Sequence, residues 1–258
     1  MNRLSDLNIS NQNLVIRVDM NVPIEDGVVT DNTRILACMP TIKFAQKSNA
    51  KILLVTHLGR PKEGTFDKKF SLKPVATEVS KILDYEVDFI DDLDSTKIFN
   101  GSSDIQILEN IRFFEGEKSN CNKLGKSLSS LGDIYVFDAF GTSHREQSST
   151  HSAIVNSNLS CAGLLLEKEI DSLTKVLNES QNPYTAIIGG AKVSTKLELI
   201  KNINSKADHI IVGGGIANTF LKAAGHEIGI SLCEESMVGI AKELLNDGKI
   251  ILPDTVIT

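Results

Sequence analysis

Arginine, histidine and carboxamide side chains recur at one kind of place in this sequence, just after short apolar runs. Residues 14–18 are followed by Asp19, Met20 and Asn21, and residues 52–55 by Thr56, His57, Leu58, Gly59, Arg60 and Pro61. Residues 105–108 are followed by Glu109, Asn110 and Arg112, and residues 134–137 by a stretch from Asp138 through Thr142, Ser143 and His144 to Arg145. Each group alone is ordinary, since an Asp-x-Asn turn is commonly only a turn and a lone arginine is commonly a solvated charge. If the runs are parallel strands of one sheet, the four groups share its carboxyl edge, where open α/β sheets bind ligands. Arg60, Arg112 and Arg145, with His57 and His144, then form a cationic basin in a chain of formal net charge −6. Its natural ligand is a small polyanion bearing phosphate or carboxylate, because the planar guanidinium fork binds such groups through two parallel hydrogen bonds. Arg34 adds a cation near the start of the first predicted helix, whose dipole also favours anions.

A second constellation follows later. Residues 187–196 read Ile-Ile-Gly-Gly-Ala-Lys-Val-Ser-Thr-Lys, a strand, a glycine turn and a helix start. Small residues let a ligand approach the backbone, and a helix N-terminus offers free N–H groups to phosphate. Lys192 and Lys196 are four residues apart and are expected on one face of that helix. Ile211, Val212, Gly213, Gly214 and Gly215 repeat the design. Neither run is a P-loop or a G-x-G-x-x-G fingerprint. The same residues also fit two tight βα turns carrying surface lysines, and both readings stay open at this level.

The elements that must position these groups alternate strand and helix. Helices are predicted over 34–47, 72–83 and 124–131, with Ser71 as N-cap of the second and Pro74 in its first turn. The rhythm resumes with strands over 185–188, 209–212 and 250–252 and helices over 192–203, 217–224 and 235–245. Such alternation predicts an α/β protein, two doubly wound parallel-sheet domains. Residues 164–178 have helical period with no strand before them, and 179–183 read as a turn. The expected organisation is an anion-binding domain over 1–163, a linking helix and turn over 164–183, and a second domain over 184–258. Three strands fall short of the usual doubly wound sheet. The second domain is therefore expected to be incomplete, with the apolar segment 254–258 near its end and a sheet edge and helix faces left bare.

Composition excludes several classes. The chain has 258 residues, of which 41% are apolar and 23% charged, with no tryptophan. No basic stripe suggests nucleic acid. Cys38, Cys121, Cys161 and Cys233 are scattered without zinc spacing, as expected of reduced thiols in the cytoplasm. Residues 1–13 lack a signal-peptide core, and no apolar run has membrane-spanning length. The expectation is a cytoplasmic protein with no membrane or nucleic-acid partner.

Taken in order, six segments resemble the signature segments of the phosphoglycerate kinases. They are Arg17-Val18-Asp19-Met20-Asn21-Val22-Pro23, His57-Leu58-Gly59-Arg60-Pro61, Leu108-Glu109-Asn110-Ile111-Arg112-Phe113, Asp138 through Arg145, Gly189-Gly190-Ala191-Lys192-Val193 and Gly213-Gly214-Gly215. The resemblance covers essentially the whole chain. It implies two α/β domains facing across a cleft, a monomer, and reversible phosphoryl transfer between 1,3-bisphosphoglycerate and ADP in glycolysis, giving 3-phosphoglycerate and ATP. It implies that Asp19, Asn21, Arg34, His57, Leu58, Gly59, Arg60, Arg112 and Arg145 bind the phosphoglycerate. Arg34 and Lys192 would flank the phosphoryl group in flight, and Gly190, Ala191, Lys196, Gly214 and Gly215 would line the site for ADP or ATP with Mg2+. The family's pattern continues past Thr258 with later strands, an acidic ribose contact, a Gly-Gly-Asp segment carrying the magnesium ligand, a Trp-Asn-Gly-Pro segment and a tail that folds back on the first domain. The 258 residues are therefore expected to be a fragment whose metal ligand lies elsewhere. The alternatives are a catalytically inactive phosphoglycerate-binding fragment and, more remotely, a nicotinamide-dependent dehydrogenase without its glycine fingerprint.

Overall fold

The computed structural model describes residues 1–93, 96–178 and 182–255. Its contacts divide the chain into two compact units, Met1–Ser172 and Leu173–Thr258.

The first unit carries β1 (Asn13–Val18), a short hairpin of β2 (Ile24–Glu25) and β3 (Val28–Val29), α1 (Thr33–Lys47), β4 (Lys51–Val55), α2 (Lys73–Leu83), β5 (Asp88–Ile90) and β6 (Ile105–Leu108). It continues with α3 (Asn122–Ser129), β7 (Ile134–Asp138), α4 (Ala153–Asn156), β8 (Ser160–Ala162) and the start of α5 (Leu164–Asn178). Six strands form one wholly parallel sheet in the order β5-β6-β4-β1-β7-β8. The chain leaves β1 toward β4 and later crosses to β7 on the other side, so the order reverses beside β1, where such sheets open a crevice for ligands.

Strand parity builds the core. Leu14, Ile16, Val18, Ile52 and Leu54 pack under α1 and α2, whereas Val15, Leu53, Val55 and Leu108 pack under α3. Covering both faces turns the inner strands into continuous apolar runs, which is why they are legible in the sequence. The edge strands β5 and β8 are three residues each and only partly apolar. That hides them, and it corrects the expectation that no strand precedes residues 164–178. Helix boundaries also differ: in the second unit the helix expected over 217–224 runs from Gly214 to Ala223, and the one expected over 235–245 begins at Val238. The third helix begins at Asn122 and ends at Ser129, not at 124 and 131. Ser71 is not the N-cap of α2; Leu72 holds that position, its amide donating at 2.8 Å to the buried Glu109 carboxylate, which also accepts from the Ser71 hydroxyl at 2.7 Å.

The second unit contains β9 (Thr185–Gly189), α6 (Leu197–Asn204), β10 (His209–Gly213), α7 (Gly214–Ala223), α8 (Val238–Leu245) and β11 (Ile250–Ile251). The strands are parallel in the order β11-β10-β9. Ala186, Ile188, Ile210 and Val212 are buried with Ile200, Ile216, Phe220 and Leu244. The alternate residues Ile187, Ile211 and Ile251 are exposed, Ile187 to 78%. Among the described residues, helices thus cover one face of this sheet. Residues 179–181 of the predicted turn and 256–258 of the predicted last apolar segment lie outside the described residues. No described helix is long and apolar enough to cross a membrane.

One buried polar joint ties the start of α5 to the sheet. Asp138, at the end of β7, accepts from the Thr41 hydroxyl of α1 at 2.6 Å and from the Leu166 amide at 2.9 Å, while Thr41 accepts from the Leu164 amide at 3.1 Å. Burial raises the Asp138 carboxyl above the usual range, against the pull of these hydrogen bonds. Thr41→Val keeps the shape and removes the hydroxyl, leaving Asp138 and the Leu164 amide each short of a partner. The expected loss is about 1–3 kcal/mol of stability, read as a lower urea midpoint of the first unit with an unchanged slope.

Candidate functional site

The loops after β1, β4, β6 and β7 meet at the carboxyl edge of the six-stranded sheet, and their backbones are braced by side-chain carboxamides and carboxylates. Asp19 accepts from the Asn21 amide at 3.2 Å, and Asn21 in turn accepts from the Gly59 amide at 2.9 Å. Asn110 is buried and clamps Leu58 from both sides, accepting from its amide at 3.2 Å and donating to its carbonyl at 2.8 Å. It also donates to the Phe70 carbonyl at 3.0 Å and accepts from the Arg112 amide at 3.1 Å. Gly59 has φ +57°, and a Cβ there would run into the Phe70 ring. Any larger residue is excluded twice over, by conformation and by space.

On this braced edge the cations gather. The Arg34 guanidinium donates to Asp19 at 2.9 Å and is otherwise largely exposed. Arg60 is exposed and Arg145 half-buried. Arg112 is buried, and its Nη1 donates to the Gly59 carbonyl. Its Nε is sealed from solvent with no partner among the described residues. Burial and the nearby charges of Arg145, Arg17 and Arg60 hold its pKa below the usual arginine value, with Glu117 opposing. His57 is buried, and desolvation together with Arg17, Arg112, Arg145 and Arg34 pushes its pKa down to about 2. It is a neutral imidazole throughout the physiological range. Asp19, Asn21, His57, Leu58, Gly59, Arg60, Arg112 and Arg145 therefore stand on the loops of one edge, and Arg34, in the first turn of α1, is tied to them through Asp19.

Sequence reasoning missed a layer beneath it. Arg17 lies inside β1, fully buried, and donates through Nε to the Ser149 hydroxyl at 2.9 Å. Ser149 donates through its hydroxyl and amide to the buried Glu117 carboxylate at 2.6 and 2.9 Å. Arg17 and Glu117 thus form an ion pair bridged by a hydroxyl. Ser149 belongs to a π-helical turn, Ser148–Ser152, whose carbonyl at Ser149 accepts from the buried Tyr135 hydroxyl at 2.7 Å. The signal for Arg17 was present: a charge interrupts an otherwise apolar central strand that must be covered on both faces. Glu117 and Ser149 lie in polar loops where nothing marked them.

In the second unit the two glycine turns interlock. The Ile216 amide donates to the Gly190 carbonyl at 3.0 Å, and a Cβ on Gly215 would strike the Ala191 carbonyl. Gly190, Ala191, Gly214 and Gly215 are thereby brought together, and α7 opens on this pair. Lys192 and Lys196 do not share a helical face. Lys192 precedes any helix, residues 194–196 form a 3-10 turn, and α6 begins only at Leu197, with Lys196 as its N-cap. The reason is a tertiary hydrogen bond. Glu234 accepts from the Ser194 amide at 2.9 Å and from its hydroxyl, which holds the segment in a turn.

The family model described as phosphoglycerate kinase matches residues 4–258. A phosphoglycerate kinase of Nitratidesulfovibrio vulgaris is 46% identical over 94% of this chain and 62% of its own length. One of Desulfovibrio desulfuricans is 44% identical over 99% of this chain and 67% of its own length. Among solved structures, a phosphoglycerate kinase from Coxiella burnetii superposes with a TM-score of 0.85 at 42% identity, covering 97% of this chain and 65% of that one. A phosphoglycerate kinase from Pyrococcus horikoshii gives 0.84 at 31% identity, covering 98% and 67%.

His57 makes the first unit acid-sensitive in a defined direction. Its pKa is about 2 folded against 6.5 for a free histidine. Below the free value the unfolded chain binds a proton that the folded chain does not, so stability falls as pH falls, by about 1.4 kcal/mol per pH unit from this group. His57→Gln should remove that component, so that the stability lost between about pH 7 and 5 shrinks by roughly 2 kcal/mol in urea unfolding. An unchanged pH dependence would show that His57 is not held neutral.

Proposed function

The chain belongs to the phosphoglycerate kinase family, and from that premise we propose that it takes part in reversible phosphoryl transfer between 1,3-bisphosphoglycerate and ADP, the glycolytic reaction that yields 3-phosphoglycerate and ATP. The chain spans 62–67% of the length of the curated relatives it matches. In the reverse direction the carboxylate of 3-phosphoglycerate attacks the terminal phosphorus of ATP, the new C–O–P bond forms, and the bond to ADP breaks. A carboxylate of pKa about 4 is already ionised at neutral pH, so the step needs no general base. What it needs is positioning and neutralisation of charge.

The observation that carries the phosphoglycerate reading is Arg112. Its guanidinium is buried among like charges, and with the exposed or half-buried Arg34, Arg60 and Arg145 and the neutral His57 it makes a donor set suited to a polyanion. In this reading Asp19, Asn21, His57, Leu58, Gly59, Arg60, Arg112 and Arg145 hold the phosphoglycerate within the first unit. Arg34 keeps a loose partner in Asp19 and turns to the transferring group. The interlocked turns of Gly190, Ala191, Gly214 and Gly215 receive the nucleotide phosphates, with Lys196 at their rim and Lys192 toward the phosphoryl group. Nucleotide of this kind carries Mg2+, which screens the phosphate charge. Among the described residues no three His, Cys, Asp or Glu side chains gather into a metal site, so no step is derived through the ion. The whole protein is read as a cytoplasmic monomer.

One observation favours a narrower reading for these 258 residues. The second unit's sheet has three strands and a bare apolar face, so the chain by itself can act as a phosphoglycerate-binding fragment without turnover. One pair of measurements separates the two. Calorimetry with 3-phosphoglycerate is expected to show binding that Arg112→Ala weakens roughly 10- to 100-fold. A coupled assay for ADP release from Mg-ATP, dependent on added 3-phosphoglycerate, reads the transfer, and Arg34→Ala should lower any turnover about 10²–10³-fold. Binding without turnover selects the fragment reading. Absence of binding overturns the phosphoglycerate site, and a normal rate for Arg34→Ala overturns that residue's role.

A further inference from the structure

Arg17 does not stand with the other arginines at the open edge. It is opposed within the sheet by Val55 and Phe137 of the flanking strands, and its side chain is 1% exposed. Each guanidinium nitrogen has a partner inside the unit: Nε donates to the Ser149 hydroxyl, Nη1 to the Val18 carbonyl, and Nη2 lies 3.2 Å from His57 Nδ1. Arginine donates and never accepts, so the last contact is a hydrogen bond only when His57 Nδ1 is the acceptor. A neutral imidazole that accepts at Nδ1 carries its proton on Nε2. Among the described residues that Nε2 has no protein partner, and it is not among the atoms sealed from solvent.

We propose that Arg17 is a positioning residue that acts through His57, fixing the ring's orientation and its Nε2–H tautomer so that His57 meets an anionic oxygen of the bound phosphoglycerate as a neutral hydrogen-bond donor. For its ligand this rests on the phosphoglycerate reading above; for the tautomer it rests on the geometry alone. The division of labour follows from electrostatics. Four guanidiniums supply charge at the edge, and a fifth charge on the ring would be repelled by all of them. A neutral ring is directional. With Nε2–H outward it attracts an anion, whereas the other tautomer would point a lone pair at it. Arg17 removes that second possibility, and it is held in place by Ser149, which is fixed in turn by Glu117 and Tyr135.

The first arm of the test needs no variant of Arg17. In the chain labelled with 15N-histidine, with the His57 signals assigned by their loss in His57→Gln, Nε2 should be protonated and Nδ1 bare across about pH 6–8. A proton on Nδ1, or a charged ring, overturns the proposal. The second arm is a double-mutant cycle on 3-phosphoglycerate binding by calorimetry. Arg17→Met should weaken binding roughly 10- to 100-fold beside an intact His57, and less than about twofold in the His57→Gln background. A loss that persists in full without the histidine means that Arg17 contacts the ligand itself, which overturns its action through the ring. If Arg17→Met alone does not fold, the Arg17→Met/Glu117→Gln variant removes both buried charges together and is compared with Glu117→Gln. If the unaltered chain binds no 3-phosphoglycerate, the phosphoglycerate reading fails, and the tautomer still decides the Arg17–His57 claim.

Discussion

A guanidinium buried in the central strand of a parallel sheet constrains everything around it. Arg17 sits where parity demands an apolar side chain, on the same face as Val15 and Val55. A charge withdrawn from water is strongly unfavourable unless every donor is matched and a counter-charge is near. The fold meets both demands. The counter-charge is Glu117, buried in its turn and raised in pKa by desolvation, and the match is made through Ser149. Fixing Ser149 requires the π-helical turn, and that turn begins three residues after Arg145. The Thr150 hydroxyl donates to the Arg145 carbonyl at 2.5 Å. The buried ion pair and the loop that carries an edge arginine are thus parts of one hydrogen-bonded structure.

The other loops are braced by the same means, with buried polar side chains standing in for backbone partners. Glu109 and Asn110 follow β6 directly. One satisfies the start of α2, and the other fixes Leu58 and the segment at Phe70. Such networks are costly when half satisfied and rigid when complete. Rigidity matters here because four like charges are held near one another on one edge. Flexible arginines would drift apart into solvent, and the edge would lose the preorganisation that makes charge effective in a partly desolvated site. Gly59 completes the arrangement by letting Phe70 pack flat against the loop that carries Arg60.

How much of this the sequence discloses follows from where each interaction is made. The inner strands β1, β4, β6 and β7 are legible because cover on both faces makes them uniformly apolar, and the polar residues at their ends are legible because a parallel sheet puts those ends together. Elements stabilised by partners distant in sequence are not. The short edge strands have too few apolar residues to stand out. The cap position of α2 is Leu72, braced by Glu109 just after β6, not the adjacent serine. The segment after Lys192 has helical composition, yet Glu234, forty residues on, holds Ser194 in a turn, so the lysine spacing loses its meaning. Arg17 was visible as a misfit, but its partners Ser149 and Glu117 are polar residues in polar loops, and only the fold brings them beneath the histidine.

The two units meet the same architectural problem with different completeness. Both place turns rich in polar or small residues at the carboxyl ends of parallel strands. In the first, helices cover both faces, and the site is built from side chains whose supports lie within that unit. In the second, the turns at Gly190 and Gly214 are set by close backbone approach with the Ile216 side chain packed against Gly190, and they need only β9, β10 and α7. Such a pair of turns is therefore formed wherever those three elements pair, even on a sheet whose Ile187, Ile211 and Ile251 remain uncovered. The division follows from physics: anion recognition by N–H groups is local in sequence, whereas discrimination among ligands that share a phosphate requires contacts gathered from across the fold.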